Sequence, residues 1–179
     1  NMNFLLKTNL IIIAICFLVF SKVSHANKAF ITNEKDNTVS VLDVKKMKVI
    51  DTVKVGQRPR GIIISNDGKL VLICASDDDR VEVRDVETMK LKYILPSGPD
   101  PELMVLSPDD SVLYIANEDD AMVTVVDMAD KMIIDDIPVG VEPEGMGLTN
   151  NGKVLVNTSE TTNMAHFIST DNLEIFENV

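Results

Sequence analysis

The sequence has no tryptophan, two cysteines and two histidines, which restricts the chemistry open to its side chains. It contains no G-x-S-x-G, H-E-x-x-H or C-x-x-C motif and no glycine-rich phosphate-binding loop. The motifs of common serine hydrolases, zinc peptidases, thiol oxidoreductases and nucleotide-binding enzymes are therefore missing. Cys74 is the one cysteine after residue 26, so residues 27–179 cannot form an internal disulfide.

The N-terminus has the order of regions expected of a secretory signal peptide. Lys7 precedes an uninterrupted apolar run at residues 10–20, and Ser24 and Ala26 place small residues at a cleavage site. The run is too short for a membrane span, which needs about 20 apolar residues. We expect cleavage after Ala26 and a periplasmic or secreted protein. The alternative is a retained N-terminal anchor. Cys16 lies inside the run instead of ending it, which argues against lipidation.

The charge is strongly acidic. Lys7 and Lys22 are the charged residues of the first 26. Residues 27–179 therefore hold all 28 acidic residues and 15 of the 17 basic ones. Such a surface repels phosphate backbones and anionic lipids. We therefore expect no nucleic-acid partner, and no membrane association after signal cleavage.

An internal repeat of 42 residues decides the fold prediction. Asp43, Asp85 and Asp127 recur at this spacing, and each closes an alternating stretch (VSVLD, VEVRD and VTVVD). Turn sequences recur at the same interval, at residues 65–69, 107–111 and 149–153. Glycine- and proline-containing loops also recur, at residues 55–59, 97–101 and 139–143. No insertion or deletion interrupts the register.

One repeat unit predicts four short strands, near residues 61–65, 70–75, 80–85 and 91–95. The second is apolar nearly throughout, as expected of a strand buried on both faces, with Cys74 as a buried structural thiol. The third alternates with period two, and Asp85 is placed to accept backbone N–H groups at the following turn.

Four strands in about 42 residues match the blade of a β-propeller. The predicted fold is all-β, an incomplete ring of about 3.5 to 4 four-stranded antiparallel blades, and an open β-solenoid is the alternative. The predicted blades cover residues 28–56, 59–98, 101–140 and 143–179. The first would lack its innermost strand, so we expect the sequence to be the N-terminal half of a longer propeller.

Residues 29–33 (AFITN) and 113–117 (LYIAN), with the V-x-V-x-D stretches that follow, resemble YVTN-type β-propeller repeats. Longer stretches, such as residues 33–41 and 157–167, are similar to periplasmic β-propeller proteins associated with alcohol catabolism that depends on pyrroloquinoline quinone (PQQ). Two features depart from the pattern. Residues 71–74 (VLIC) replace the Tyr-Val-x-Asn core, and Ser169 replaces the repeated aspartate.

This resemblance implies a non-enzymatic binding or assembly module that serves PQQ-dependent alcohol oxidation. The implied partner is a periplasmic quinoprotein dehydrogenase or a component of an ABC transporter. No cofactor is expected in this chain, because quinoprotein dehydrogenases typically stack PQQ on tryptophan and the sequence has none. The alternative is a propeller enzyme, either a lactonase-like hydrolase or a quinoprotein dehydrogenase subunit, with its site at the channel mouth.

Propeller topology brings two sets of loops to one end, where a polar docking or small-ligand surface could form. These loops join strand four to the next strand one, and strand two to strand three. The candidate binding residues are Arg58, Arg60, Asp100, Glu102, Glu142, Glu144, Glu160 and His166. The alternative for all of them is that they are solvated turn residues. No catalytic residue is assigned.

Two acidic stretches, residues 77–79 and 118–120, carry the oxygen ligands that Ca²⁺ prefers but lack the spacing of known calcium loops. We interpret them as solvated loops and assign no metal ligand. His166 stands where the other repeats have Ser40, Glu82 and Thr124. A hydrogen-bonded strand histidine is the favoured interpretation, and a ligand or relay role is the alternative.

Overall fold

The structure is a computed structural model that describes residues 27–179; the predicted signal peptide lies outside the described residues. Fifteen strands form within this part of the chain. Their bounds are β1 Lys28–Asn33, β2 Thr38–Asp43, β3 Lys48–Lys54, β4 Pro59–Ile64, β5 Leu70–Ala75, β6 Arg80–Asp85, β7 Leu91–Pro96, β8 Pro101–Leu106, β9 Val112–Asn117, β10 Met122–Asp127, β11 Met132–Pro138, β12 Pro143–Leu148, β13 Val154–Ser159, β14 Met164–Ser169 and β15 Ile175–Asn178. Single 3₁₀ turns follow β1 and β5, at Glu34–Asp36 and Ser76–Asp78.

The strands form four antiparallel sheets in chain order. Sheet I contains β1–β3, sheet II β4–β7, sheet III β8–β11 and sheet IV β12–β15. The first strands of sheets II, III and IV lie beside one another, and β1 lies beside β4. The chain is therefore an incomplete β-propeller, which confirms the predicted fold class. Among residues 27–179, no helix has both the length and the apolar character that a membrane crossing requires.

Predicted and observed strands agree within about two residues. The largest difference is in the first strand of each repeat, which begins at its proline and not after it. Pro59 pairs with Ala75, and the register then shifts before Ile62 pairs with Ile73. A proline fits here because the bulge interrupts the ladder where its missing N–H would otherwise be needed.

The second strand of sheet II is buried on both sides. Leu72 and Cys74 pack into one apolar cluster between sheets II and III. Val71 and Ile73 pack into another cluster between sheets I and II. Alternate residues of a strand point to opposite faces, so one apolar run supplies two interfaces. A third cluster joins sheets III and IV.

The repeated aspartate orders the turn between strands three and four. Asp85 Oδ1 accepts the backbone N–H groups of Glu87 (3.1 Å) and Thr88 (2.9 Å), and Asp127 Oδ1 accepts those of Ala129 and Asp130, both at 2.8 Å. These bonds are the ones expected from the sequence. They give each turn a similar shape, which keeps successive sheets in the same geometry.

Candidate functional site

Two sets of loops meet at one end of the propeller, which we call the mouth face. They are the loops before β4, β8 and β12 and those after β1, β5, β9 and β13. Arg58, Asp100 and Glu142 occupy equivalent positions and have left-handed backbone, with φ of 48°, 53° and 55°. Each carbonyl accepts an N–H from the loop after strand two, with N···O distances of 3.2, 2.9 and 2.9 Å. The same pair of loops is therefore tied together in sheets II, III and IV.

Arg58 joins sheets II and III. Its Nε donates to Asp77 Oδ1 at 2.7 Å, and its Nη2 donates to Asp100 Oδ1. Its Nη1 lies 3.8 Å from Glu102 Oε1, which is too long for a hydrogen bond. Arg58 thus spans from the loop after β5 to the start of β8.

Arg60 lies at the centre of the mouth face and approaches acids from the other three sheets. Its Nε donates to Glu102 Oε2 of sheet III at 2.5 Å. Its Nη1 lies 3.5 Å from Glu34 Oε1 of sheet I, and its Nη2 lies 3.7 Å from Glu144 Oε1 of sheet IV. The guanidinium is therefore a shared cation for carboxylates of three other blades.

A cavity of about 310 Å³ lies beside Arg60, at the inner strands. Every sheet contributes to its lining, which consists of Thr32, Glu34, Pro59, Arg60, Gly61, Glu102, Leu103 and Glu144. The lining includes three carboxylates and one guanidinium, so the cavity suits a small polar or cationic group better than an apolar one.

Glu102 is the most buried acid of this group, with 2% of its surface exposed. Burial raises the pKa of its carboxyl, and the nearby negative charges of Asp100 and Glu118 raise it further. The hydrogen bond and the positive charge of Arg60 lower it, and the resulting pKa is about 7.

Burial also raises the pKa of the Cys74 thiol far above its usual value, and the negative charges of Glu102 and Asp100 raise it further. Cys74 is fully buried, so it has no features of a nucleophile.

The candidate residues of sheet IV are less closely joined to this group. Glu142 accepts a hydrogen bond from the hydroxyl of Thr161, and Glu160 is exposed. Glu144 is the member that reaches Arg60. The structure thus brings Arg58, Arg60, Asp100, Glu102 and Glu144 together and places Glu142 and Glu160 at the rim.

His166 is buried and hydrogen-bonded on both ring nitrogens. Its Nε2 accepts the N–H of Gly140 at 2.9 Å, and its Nδ1 lies 2.7 Å from Asn178 Oδ1. An acceptor Nε2 requires that Nδ1 carry the proton and donate to Asn178. Both nitrogens are therefore used in holding β14 against the loop before β12 and against β15.

Three residues outside the predicted set of binding residues also belong to the site, and all three lie in loops that the predicted topology brings to this face. Glu34 and Asp77 bind the arginines, and Glu118 lies beside Asp100 and Glu102. The acidic loops were visible in the sequence, and a shift of one repeat relates Glu118 to Glu160. The repeat alone does not say which loop side chains turn towards the arginines.

No family model and no curated protein matches the chain. Among solved structures it is similar to Kuenenia stuttgartiensis hydrazine synthase, with a TM-score of 0.79 and 23% identity over 85% of this chain and 45% of that one. It is also similar to a functionally unknown protein from Desulfotomaculum acetoxidans DSM 771, with a TM-score of 0.69 and 17% identity over 79% and 48% of the two chains. These likenesses show a shared fold. The chain spans less than half the length of either neighbour.

Proposed function

We propose that this chain is a non-enzymatic binding or assembly module of propeller fold that is secreted to the periplasm and serves PQQ-dependent alcohol oxidation. The basis for this pathway is the resemblance of stretches such as residues 33–41 and 157–167 to propeller proteins associated with PQQ-dependent alcohol catabolism. In this proposal PQQ belongs to the partner, a quinoprotein dehydrogenase or a component of an ABC transporter. The partner would dock on the mouth face.

The observation that carries the binding role is the position of Arg60 among acids from three other sheets. The ion pairs of Arg58 and Arg60 fix the loops, so the surface is organised before any partner arrives. The acids at this face outnumber the two arginines, and Glu34 and Glu160 are exposed. A rigid acidic surface favours a partner that presents a basic patch.

The test is a binding measurement with a purified quinoprotein alcohol dehydrogenase and with the transporter's solute-binding component. Reversing rim charges with Glu34→Lys and Glu160→Lys should weaken binding, and a rise in salt from about 50 mM to about 500 mM should weaken it further. Glu177→Lys is the matched control, because Glu177 is exposed on the outer strand β15 and does not belong to the loops of the mouth face. Equal losses in the control and the rim variants would reject docking at this face, and no binding to either protein would reject the proposed partners.

One observation favours an enzyme as the second candidate. Glu102 lines the cavity with a pKa of about 7, and a buried acid of that kind is typical of general acid–base catalysis. A lactonase-like hydrolase or a dehydrogenase subunit would need such a group. Lactone hydrolysis that is abolished by Glu102→Gln and unchanged by Glu177→Gln would support this candidate. Absence of turnover in the unsubstituted protein would reject the hydrolase.

A further inference from the structure

Three carboxylates come together on sheet III, where the start of β8 meets the loop after β9. One oxygen from each of Asp100, Glu102 and Glu118 lies within 4.8 Å of an oxygen of the other two. The backbone brings them together, because the Glu118 N–H donates to the Asp100 carbonyl at 2.9 Å. Arg58 pairs with Asp100 and Arg60 with Glu102, so the three carboxylates keep an excess of negative charge that a further cation would neutralise.

The two carboxylate oxygens of Glu102 have different surroundings. Its Oε2 accepts from Arg60, but its Oε1 is buried and has no hydrogen-bond partner among the described residues. Arg58 Nη1 lies 3.8 Å from Oε1, beyond hydrogen-bond distance. A buried carboxylate oxygen without a partner is costly, so Oε1 points to a ligand that the protein's own side chains do not supply.

We propose that Asp100, Glu102 and Glu118 bind a calcium ion at the mouth face. An oxygen-only ligand set suits hard cations. The three ligand oxygens lie within 4.8 Å of one another, which is about the distance between two oxygens on opposite sides of Ca²⁺, so binding needs no movement of the backbone. Mg²⁺ demands near-octahedral geometry and gives up its water reluctantly, so we expect the cluster to favour Ca²⁺. Three carboxylates leave the remaining positions to water, which places the expected Kd near 10⁻⁴ M, about the range of extracellular calcium modules.

Arg58 bonds two acids, so it can release Asp100 and still be paired. Its Nη2 bonds Asp100 Oδ1, and its Nε bonds Asp77. When Ca²⁺ takes an oxygen of Asp100, the guanidinium keeps Asp77 as a partner and stays at the rim. The equivalent acids of sheet IV, Glu142, Glu144 and Glu160, do not form such a cluster within the described residues. The proposal does not depend on which partner docks, or on whether one does.

The test is calorimetric titration of the purified protein, after treatment with a chelator, with CaCl₂ and separately with MgCl₂. We expect one Ca²⁺ per chain and a Kd at least about tenfold weaker for Mg²⁺. Saturating Ca²⁺ should raise Tm, because a ligand that binds only the folded state stabilises it. Absence of Ca²⁺ heat together with an unchanged Tm would overturn the proposal and would mean that Arg58 and Arg60 alone neutralise the acids.

Glu118→Gln and Asp119→Asn form a matched pair. Both remove one negative charge, from adjacent residues of the same loop, but Asp119 is exposed and lies outside the cluster. Glu118→Gln should weaken Ca²⁺ binding by about tenfold or more, and Asp119→Asn by about twofold or less. Equal effects of the two substitutions would overturn the site in favour of diffuse electrostatic attraction of Ca²⁺.

Amide ¹H–¹⁵N spectra of the unsubstituted protein provide a check without mutation. Ca²⁺ should shift the amide resonances of Asp100, Glu102 and Glu118, and shifts confined to other residues would also overturn the proposal.

Discussion

Arg60 of β4 and Glu102 of β8 form a 2.5 Å ion pair between neighbouring sheets, and they occupy the same position in successive 42-residue repeats. Arg58 and Asp100 are related in the same way. Equivalent positions of adjacent blades face each other at the mouth, so opposite charges one repeat apart make a bond between sheets. The next repeat has acids at both positions, and its Glu144 reaches Arg60 at 3.7 Å.

The first prediction concerns this pair. Arg60→Met should lower the free energy of unfolding by about 1 to 2 kcal/mol at about pH 8, because Glu102, with a pKa of about 7, is then mostly ionised and loses its closest cation. The double variant Arg60→Met/Glu102→Gln should recover part of that loss, since the buried charge is then gone. Urea unfolding of both single variants and the double variant gives the coupling energy. Simple additivity of the two single effects would show that the ion pair does not couple the sheets.

The second prediction concerns the closest approach of two inner strands. A Cβ on Gly61 would lie 2.4 Å from the Glu102 carbonyl oxygen and 3.1 Å from the Leu103 Cα. Both are backbone atoms of the next sheet, so the strands would have to separate. We expect Gly61→Ala to cost about 2 kcal/mol.

Gly147, on the inner strand of sheet IV, is the control, because a Cβ there meets nothing within 4 Å. Gly147→Ala should be neutral or slightly stabilising, since alanine loses less backbone entropy on folding. Thermal unfolding of the two variants makes the comparison. Equal losses of stability would mean that the substitution acts through the strand backbone and not through the contact between sheets.

Much of this architecture could be predicted from the sequence because it depends on spacing. The repeat places the strands, Asp85 and Asp127 order their turns as expected, and topology places the arginines opposite acids. Other features depend on side-chain conformation and on packing between sheets. Burial of Glu102 follows from how closely β4 and β8 approach, and the position of Glu118 follows from a backbone bond to Asp100. No local pattern in the sequence encodes either feature.

The third prediction concerns pH. Asp109 Oδ1 accepts bonds from the hydroxyls of Ser107 and Ser111, each at 2.7 Å, and from the Ser111 N–H. These bonds lower the pKa of Asp109 from 3.8 to about 2. A lowered pKa in the folded state stabilises the fold above the unfolded value, and that contribution is lost as pH falls through about 2.

Carbon-detected NMR titration of the Asp109 carboxyl measures this pKa directly. Asp109→Asn is the informative variant, because Asn151 occupies the equivalent turn and accepts the matching bonds from Thr149 and Lys153. The variant should keep the turn but lose the pH dependence of stability that the Asp109 carboxyl causes. The unsubstituted protein loses that contribution as pH falls towards 2, so the stabilities of the two proteins should converge there. A titration midpoint near 3.8 would contradict the bonded geometry.

The fourth prediction concerns the tautomer of His166. Gly140 donates its N–H to Nε2, so the ring proton lies on Nδ1 and is donated to Asn178. Long-range ¹H–¹⁵N correlation at pH 8 should show the Nδ1–H form, and His166→Gln should remove that signal. We expect His166→Phe to lower the free energy of unfolding by about 2 kcal/mol, because Gly140 and Asn178 lose their partners inside the protein. An Nε2–H tautomer would mean that the ring does not accept from Gly140, and the structural role assigned to His166 would then be wrong.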